Sequence, residues 1–134
     1  MIYLDACALL KFIKPEKESE ALRTWRQGLD EDVALITSEL AQLEITRTLI
    51  RAGVDHQRVP YLAGQALRGV YVADLTTTVL ARAIAYHTPR LGSLDAIHLA
   101  TADPFRADLT AFVTYDTELA DASSELGFPV SAPE

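Results

Sequence analysis

The chain has 134 residues and sets 12 basic against 19 acidic side chains, a net charge of −7. A protein that holds long nucleic acid by phosphate contacts alone is usually basic, so that class is disfavoured. No apolar run reaches the roughly 18 residues of a membrane span, and a lone Cys7 excludes an intramolecular disulfide and suits a reducing compartment. The histidines, His56, His87 and His98, are too widely spaced for a zinc motif. MIYLDACALLKF lacks a basic n-region and carries Asp5 early, so a cytoplasmic chain is expected rather than a signal peptide. The length suits a single domain over residues 1–134.

In chain order, MIYLD (1–5) is a short apolar run ending in Asp, which predicts a buried strand. ACALLKFI offers a helical turn before Pro15. EKESEALRTWRQGL (16–29) predicts a helix with Leu22 and Trp25 inward. VALIT (33–37) is the next strand. Ser38 then caps a long helix, SELAQLEITRTLIRAG, which stops at Gly53. VDHQRVPYLAGQALRG gives a further helix, interrupted or started at Pro60. VYVAD (70–74) is a strand, and TTTVLARAIAYHT (76–88) a helix before Pro89. SLDAIHLATA is a helix with Ser93 as its expected cap. TAFVTYD (110–116) is a strand ending in Asp, TELADASSELG a short helix, and FPVSA (128–132) a last short strand.

Short, continuous apolar strands alternating with helices are the pattern of a parallel sheet covered on both faces. Ligands of such sheets bind beyond the carboxyl ends of the strands. Asp5 and Asp116 both stand at strand ends. If the two strands are parallel neighbours, both carboxylates emerge at one edge. Each also has a plainer reading, as a turn residue or the N-cap of the helix that follows.

Asp95 and Glu44 are the other candidates. Asp95 lies in the first turn of SLDAIHLATA, where an acid complements the helix dipole. Yet the rest of that helix has no formal charge apart from whatever His98 carries, and a helix apolar nearly all round is a buried one. An isolated carboxylate there is costly unless it is paired, hydrogen-bonded or metal-bound. Glu44, at about 100° per residue, shares a helix face with Leu40, Ala41, Arg47 and Thr48; its plainer reading is a surface pair with Arg47. His98, one turn beyond Asp95, reads first as a satisfied core histidine. Together the four acids are the hard-oxygen set that suits Mg²⁺ or Mn²⁺. Such an ion would also offset the acidic balance of the chain.

At this point YLDACALLKF, SELAQLEITRTL, LDAIHLATA and FVTYDTELADASSELGFPV together resemble the motif regions of PIN-domain ribonucleases, and more narrowly the VapC-type toxins of bacterial toxin–antitoxin pairs. The resemblance covers almost the whole chain, with LDAIHLATA and TYD its most specific parts. It implies an α/β/α sandwich with a short parallel sheet. It also implies a metal-dependent endoribonuclease whose carboxylates are Asp5, Glu44, Asp95 and Asp116, holding Mg²⁺ or Mn²⁺. Glu39 lies close to Glu44, but the family pattern falls on Glu44. Thr114 matches a small hydroxyl that orients the site, and Arg47 a basic position after the motif glutamate. The implied partners are an RNA substrate, a VapB-like antitoxin that blocks the site, and a second copy in a homodimer.

One departure stands out. Where the family often has Ser, Thr or Asn in the two positions after the first Asp, this chain has Ala6 and Cys7. A thiol is a poor donor to Mg²⁺, which implies lowered activity or a preference for Mn²⁺. The resemblance further implies in-line attack of water on an RNA phosphate, leaving 5′-phosphate and 3′-hydroxyl ends. Lys11, Lys14, Arg47 and Arg51 are candidates to steer phosphate. Two rivals remain. A phosphorelay receiver is disfavoured because only one acid follows the first strand and no Lys occurs beyond Lys17. The other is a PIN-like scaffold, weakly active or inactive, that acts by binding a partner.

Overall fold

The computed structural model describes residues 1–134. The elements run β1 (Ile2–Leu4), α1 (Ala6–Leu10), α2 (Ser19–Gln27), β2 (Leu35–Ser38), α3 (Glu39–Arg51), α4 (Val59–Ala66), β3 (Tyr71–Ala73), α5 (Thr77–Ala85) and α6 (Ser93–Ala102). A 3₁₀ turn over Asp103–Asp108 then leads to β4 (Ala111–Val113), α7 (Thr117–Glu125) and β5 (Val130–Ser131). The five strands form one sheet in the order β3-β2-β1-β4-β5, and every neighbouring pair is parallel.

Two-residue periodicity sorts the strand side chains between two cores. Ile2, Leu4, Leu35, Ala111 and Val113 join Leu9, Leu22, Ile45 and Leu49 from the helices of one face. Tyr3, Ile36 and Phe112 point the other way and meet Leu99, Leu119 and Phe128. Tyr3 stacks on Phe112 with ring centroids 5.0 Å apart. The predicted α/β/α sandwich is the observed architecture.

The elements are shorter than their apolar runs, and the reasons are local. Asp5 leaves β1 because its carboxylate caps α1, accepting from the Ala8 N–H at 2.9 Å. The helix expected from residue 16 starts at Ser19, since Glu16 and Glu18 are drawn onto Lys11. The helix expected over 76–88 stops at Ala85. Tyr86 turns extended there, with its hydroxyl donating to Asp103. Of the two readings at Pro60, the helix starts there, with Pro in its first turn. Ser38 caps α3 as expected, its hydroxyl accepting from the Leu40 N–H. Gly53 follows that helix at φ +79°, a conformation that favours glycine.

The chain builds β1, β2 and β3 outward to one side, then crosses to place β4 and β5 on the other. The direction of winding therefore reverses between β1 and β4, with Leu4 in register beside Val113. This is the point of an open parallel sheet where a crevice forms.

Candidate active site

Asp5 follows β1 and Asp116 follows β4 by three residues, so both emerge at the reversal point, as their parallel pairing requires. The plainer readings of both are correct for one oxygen each. Asp5 Oδ1 caps α1, and Asp116 Oδ1 caps α7 by accepting from the Leu119 N–H at 3.0 Å. The second oxygens differ. Asp5 Oδ2 accepts the hydroxyl of buried Thr114 across the β1–β4 pair, and Thr114 Oγ1 in turn accepts from the Asp116 N–H. Thr114 thus couples the two strand-end acids. Asp116 Oδ2 has no such partner.

α6 and α3 bring the remaining two acids. The expected cap of α6 is corrected: Gly92 holds the N-cap position with no side-chain cap, and Ser93 is the first helical residue. Gly92 sits in ordinary extended backbone, and no side chain caps the first-turn N–H groups. Asp95 is half-buried and takes no protein hydrogen bond. Burial first, then the charge of Asp116, pushes its carboxyl up to about 6, with His98 opposing and Asp5 and Glu44 adding. Asp5 is almost wholly enclosed, and burial raises its carboxyl against the pull of Thr114, His98 and the Ala8 N–H.

Glu44 does not pair with Arg47. Its Oε1 lies 2.6 Å from Nε2 of His98, whose Nδ1 lies 2.6 Å from the Tyr3 hydroxyl. His98 is therefore the satisfied core histidine expected, and it also reaches the site. The sequence signal was its place three residues after Asp95, on the same helix face. Arg47 is exposed and lines a neighbouring groove with Leu43, Thr48, Arg51 and Leu94.

Lys11 is not a free phosphate contact. It is buried, bonded to Glu16 and Glu18 at 2.9 Å each, and stacked over the Tyr115 ring. Lys14 and Arg51 are exposed. Glu39 is also occupied elsewhere, accepting from the Leu75 N–H at 2.6 Å.

Asp5, Glu44, Asp95 and Asp116 line one pocket of about 210 Å³, together with Ala6, Cys7, Leu10, Thr48 and His98. No lysine or arginine lines it. The acids are spread around the wall, and as placed no three of them form a closed ligand group for one ion. The donor chemistry nevertheless fits a hard cation: oxygens without protein donors, among them those of Asp95, whose pKa is raised by burial and then by the neighbouring acid charges. Mg²⁺ commonly uses one or two carboxylates and keeps its waters instead of filling an all-protein cage. Cys7 adds no thiolate. Desolvation at the pocket wall and the nearby Asp5 charge push its thiol up to about 11.

The PIN-domain family model matches residues 2–125. The chain belongs to the PIN-domain family. Ribonuclease VapC47 of Mycobacterium tuberculosis is 41% identical over 138 residues, covering 99% of this chain and 97% of that protein. The crystal structure of VapC20 from the same organism, described as a sarcin-ricin loop cleaving toxin, superposes with a TM-score of 0.76 at 16% identity, covering 99% of this chain and 100% of that one. A toxin–antitoxin complex from Klebsiella pneumoniae gives 0.67 at 18% identity, covering 100% and 98%. At such identities the two structures speak to the fold, which they share with this PIN-domain chain.

Proposed function

We propose that this PIN-domain chain is the toxin of a toxin–antitoxin pair, a metal-dependent endoribonuclease that hydrolyses RNA phosphodiester bonds in the cytoplasm. The observation that carries the reading is the meeting of Asp5, Glu44, Asp95 and Asp116 at one pocket of a PIN fold. It is supported by 41% identity along nearly the whole chain to a protein named as a ribonuclease.

Asp5, Glu44, Asp95 and Asp116 would hold Mg²⁺ or Mn²⁺, which when bound supplies Lewis-acid stabilisation of phosphate charge and acidifies water. Asp5 is the rigid member, held by Ala8 and Thr114. Asp95 and Asp116 contribute oxygens that no protein donor claims. Glu44 Oε2, left free by the His98 contact at Oε1, takes the proton from the attacking water. Attack on phosphorus breaks the bond to the 3′ oxygen, which takes a proton from solvent, leaving 5′-phosphate and 3′-hydroxyl ends. Arg47 and Arg51, exposed beside the pocket, contact flanking phosphates.

Two partners complete the reading. A VapB-like antitoxin covers the pocket, and a second copy forms a homodimer. Leu80 and Ile84 on α5 and Leu94 on α6 are exposed apolar side chains that suit such a contact.

The test is RNA cleavage by the purified, partner-free chain with Mg²⁺, Mn²⁺ or EDTA, beside Asp116→Asn. Cleavage that needs metal and falls by roughly 100-fold or more in the variant is expected. The scaffold reading draws on one observation, the absence of a closed three-ligand group. Neither cleavage of diverse RNAs nor calorimetric Mn²⁺ binding would favour it.

A further inference from the structure

We propose that the buried Tyr3–His98 pair is a positioning device, which holds Glu44 in the acid pocket against the pull of Arg47 on its own helix. The proposal rests on the reading of Glu44 as one of the ion-holding carboxylates.

Three elements contribute. Tyr3 lies on the central strand, wholly buried, its ring stacked on Phe112 and edge-on to His98 at 5.8 Å. His98, 2% exposed, stands between it and Glu44. The Glu44 side chain, by contrast, is 27% exposed. A surface glutamate with three free torsions has no reason to stay in a pocket of like charges. Arg47 lies one turn away, at the roughly 5–6 Å Cβ separation that favours an ion pair. The structure nevertheless places Glu44 on the imidazole.

With a neutral ring, the carboxylate sets the direction of the chain of bonds. An ionised carboxylate only accepts, so the contact at Glu44 Oε1 requires N–H on His98 Nε2. In neutral imidazole Nδ1 is then the acceptor, and the Tyr3 hydroxyl is its donor. Thr37 and Thr101 spend their own protons on the Leu4 and Ile97 carbonyls, so neither donates to Nδ1. Glu44 and Tyr3 thus favour the same tautomer, and Tyr3, fixed on the central strand, holds the ring in the orientation that His98 presents to Glu44. A core hydrogen bond becomes a constraint on a side chain at the site.

Outer partners of ligating carboxylates typically change metal affinity by about 10–100-fold when removed. The experiment is Mn²⁺ titration by calorimetry on the folded chain and on His98→Leu, His98→Gln, Tyr3→Phe and Glu44→Gln, with circular dichroism to establish folding. His98→Leu is expected to weaken Mn²⁺ binding by roughly 10-fold or more. His98→Gln keeps an N–H donor at similar reach and should recover most of that loss. Tyr3→Phe keeps the Phe112 stack and should fall between. The imidazole ¹⁵N spectrum of the metal-free chain should show the Nε2-protonated form, and Tyr3→Phe should mix the tautomers. A merely structural histidine would give equal losses of stability in Leu and Gln with unchanged Mn²⁺ affinity. Wild-type affinity in folded His98→Leu, with weakened binding in Glu44→Gln, would overturn the positioning role and leave the carboxylate reading standing. Unchanged affinity in Glu44→Gln would overturn the reading on which it rests, and the proposal with it. If His98→Leu does not fold, Tyr3→Phe decides: unaltered affinity and tautomer overturn the device.

Discussion

Thr114 and Asp5 meet across the β1–β4 pair, the threonine hydroxyl donating to Oδ2 of a carboxylate that is 4% exposed. The contact joins the two strands on either side of the reversal point. Thr114→Val removes that donor and leaves a buried carboxylate oxygen without a partner. A loss of about 1–3 kcal/mol is expected in denaturant unfolding. Thr114→Ser keeps the donor and should lose less than half as much. Equal losses in both would show that the methyl packing matters, not the hydroxyl.

The acid pocket sets a pH dependence. The Asp95 carboxyl rises from the ordinary 3.8 to about 6 in the fold, and Asp5 also moves up, both chiefly through burial. The folded state therefore binds more protons than the unfolded chain in this window. The contribution to stability is present below the ordinary aspartate value and is lost as pH rises through the folded value near 6. In metal-free buffer Asp95→Asn should be more stable to unfolding than wild type at pH 7.5, by about 1–2 kcal/mol once solvent screening of a half-buried group is counted. Near pH 4 the two should converge. A constant difference from pH 4 to 8 would exclude the titration.

Lys11 and Arg47 should separate cleanly in experiment. Lys11 is locked between Glu16, Glu18 and the Tyr115 ring. Lys11→Met should cost on the order of 1–3 kcal/mol, because the partners are themselves partly solvated, with no change in the salt dependence of RNA binding. Arg47→Ala should leave stability within about 0.5 kcal/mol and flatten the salt slope by roughly one phosphate contact. The reverse pattern would reassign the two residues.

Cys7 lines the pocket as a protonated thiol. Alkylation by iodoacetamide at pH 7.5 should therefore be slow, and should quicken toward pH 11. Cys7→Ser puts a hard oxygen donor in the same place and should raise the Mg²⁺-supported rate relative to the Mn²⁺-supported one. An unaltered rate ratio would remove Cys7 from the metal preference.

Much of the fold was legible because each strand is a continuous apolar run closed by a polar residue. IYL and AFV give parallel neighbours, and their pairing brings Asp5 and Asp116 to one edge. Element ends were less legible, since caps decide them. The Asp5 cap closes β1, and Gly92, not Ser93, opens α6. The partners of Glu44 and Lys11 could not be read from spacing. Arg47 is three residues from Glu44, whereas His98 is 54 away along the chain; only the packing of α3 against α6 reveals the latter. Likewise, Lys11 looked like any surface lysine until the return of Glu16 and Glu18 enclosed it.

The sheet ends in strands of three residues at β3 and two at β5. An exposed strand edge is a template on which another chain can add, and natural proteins blunt it by keeping it short. These borders offer too few free backbone groups for strand-by-strand growth. The fold is thus guarded against fibrillar stacking, and the exposed apolar side chains Leu80 and Ile84 stand on a helix instead of a strand edge.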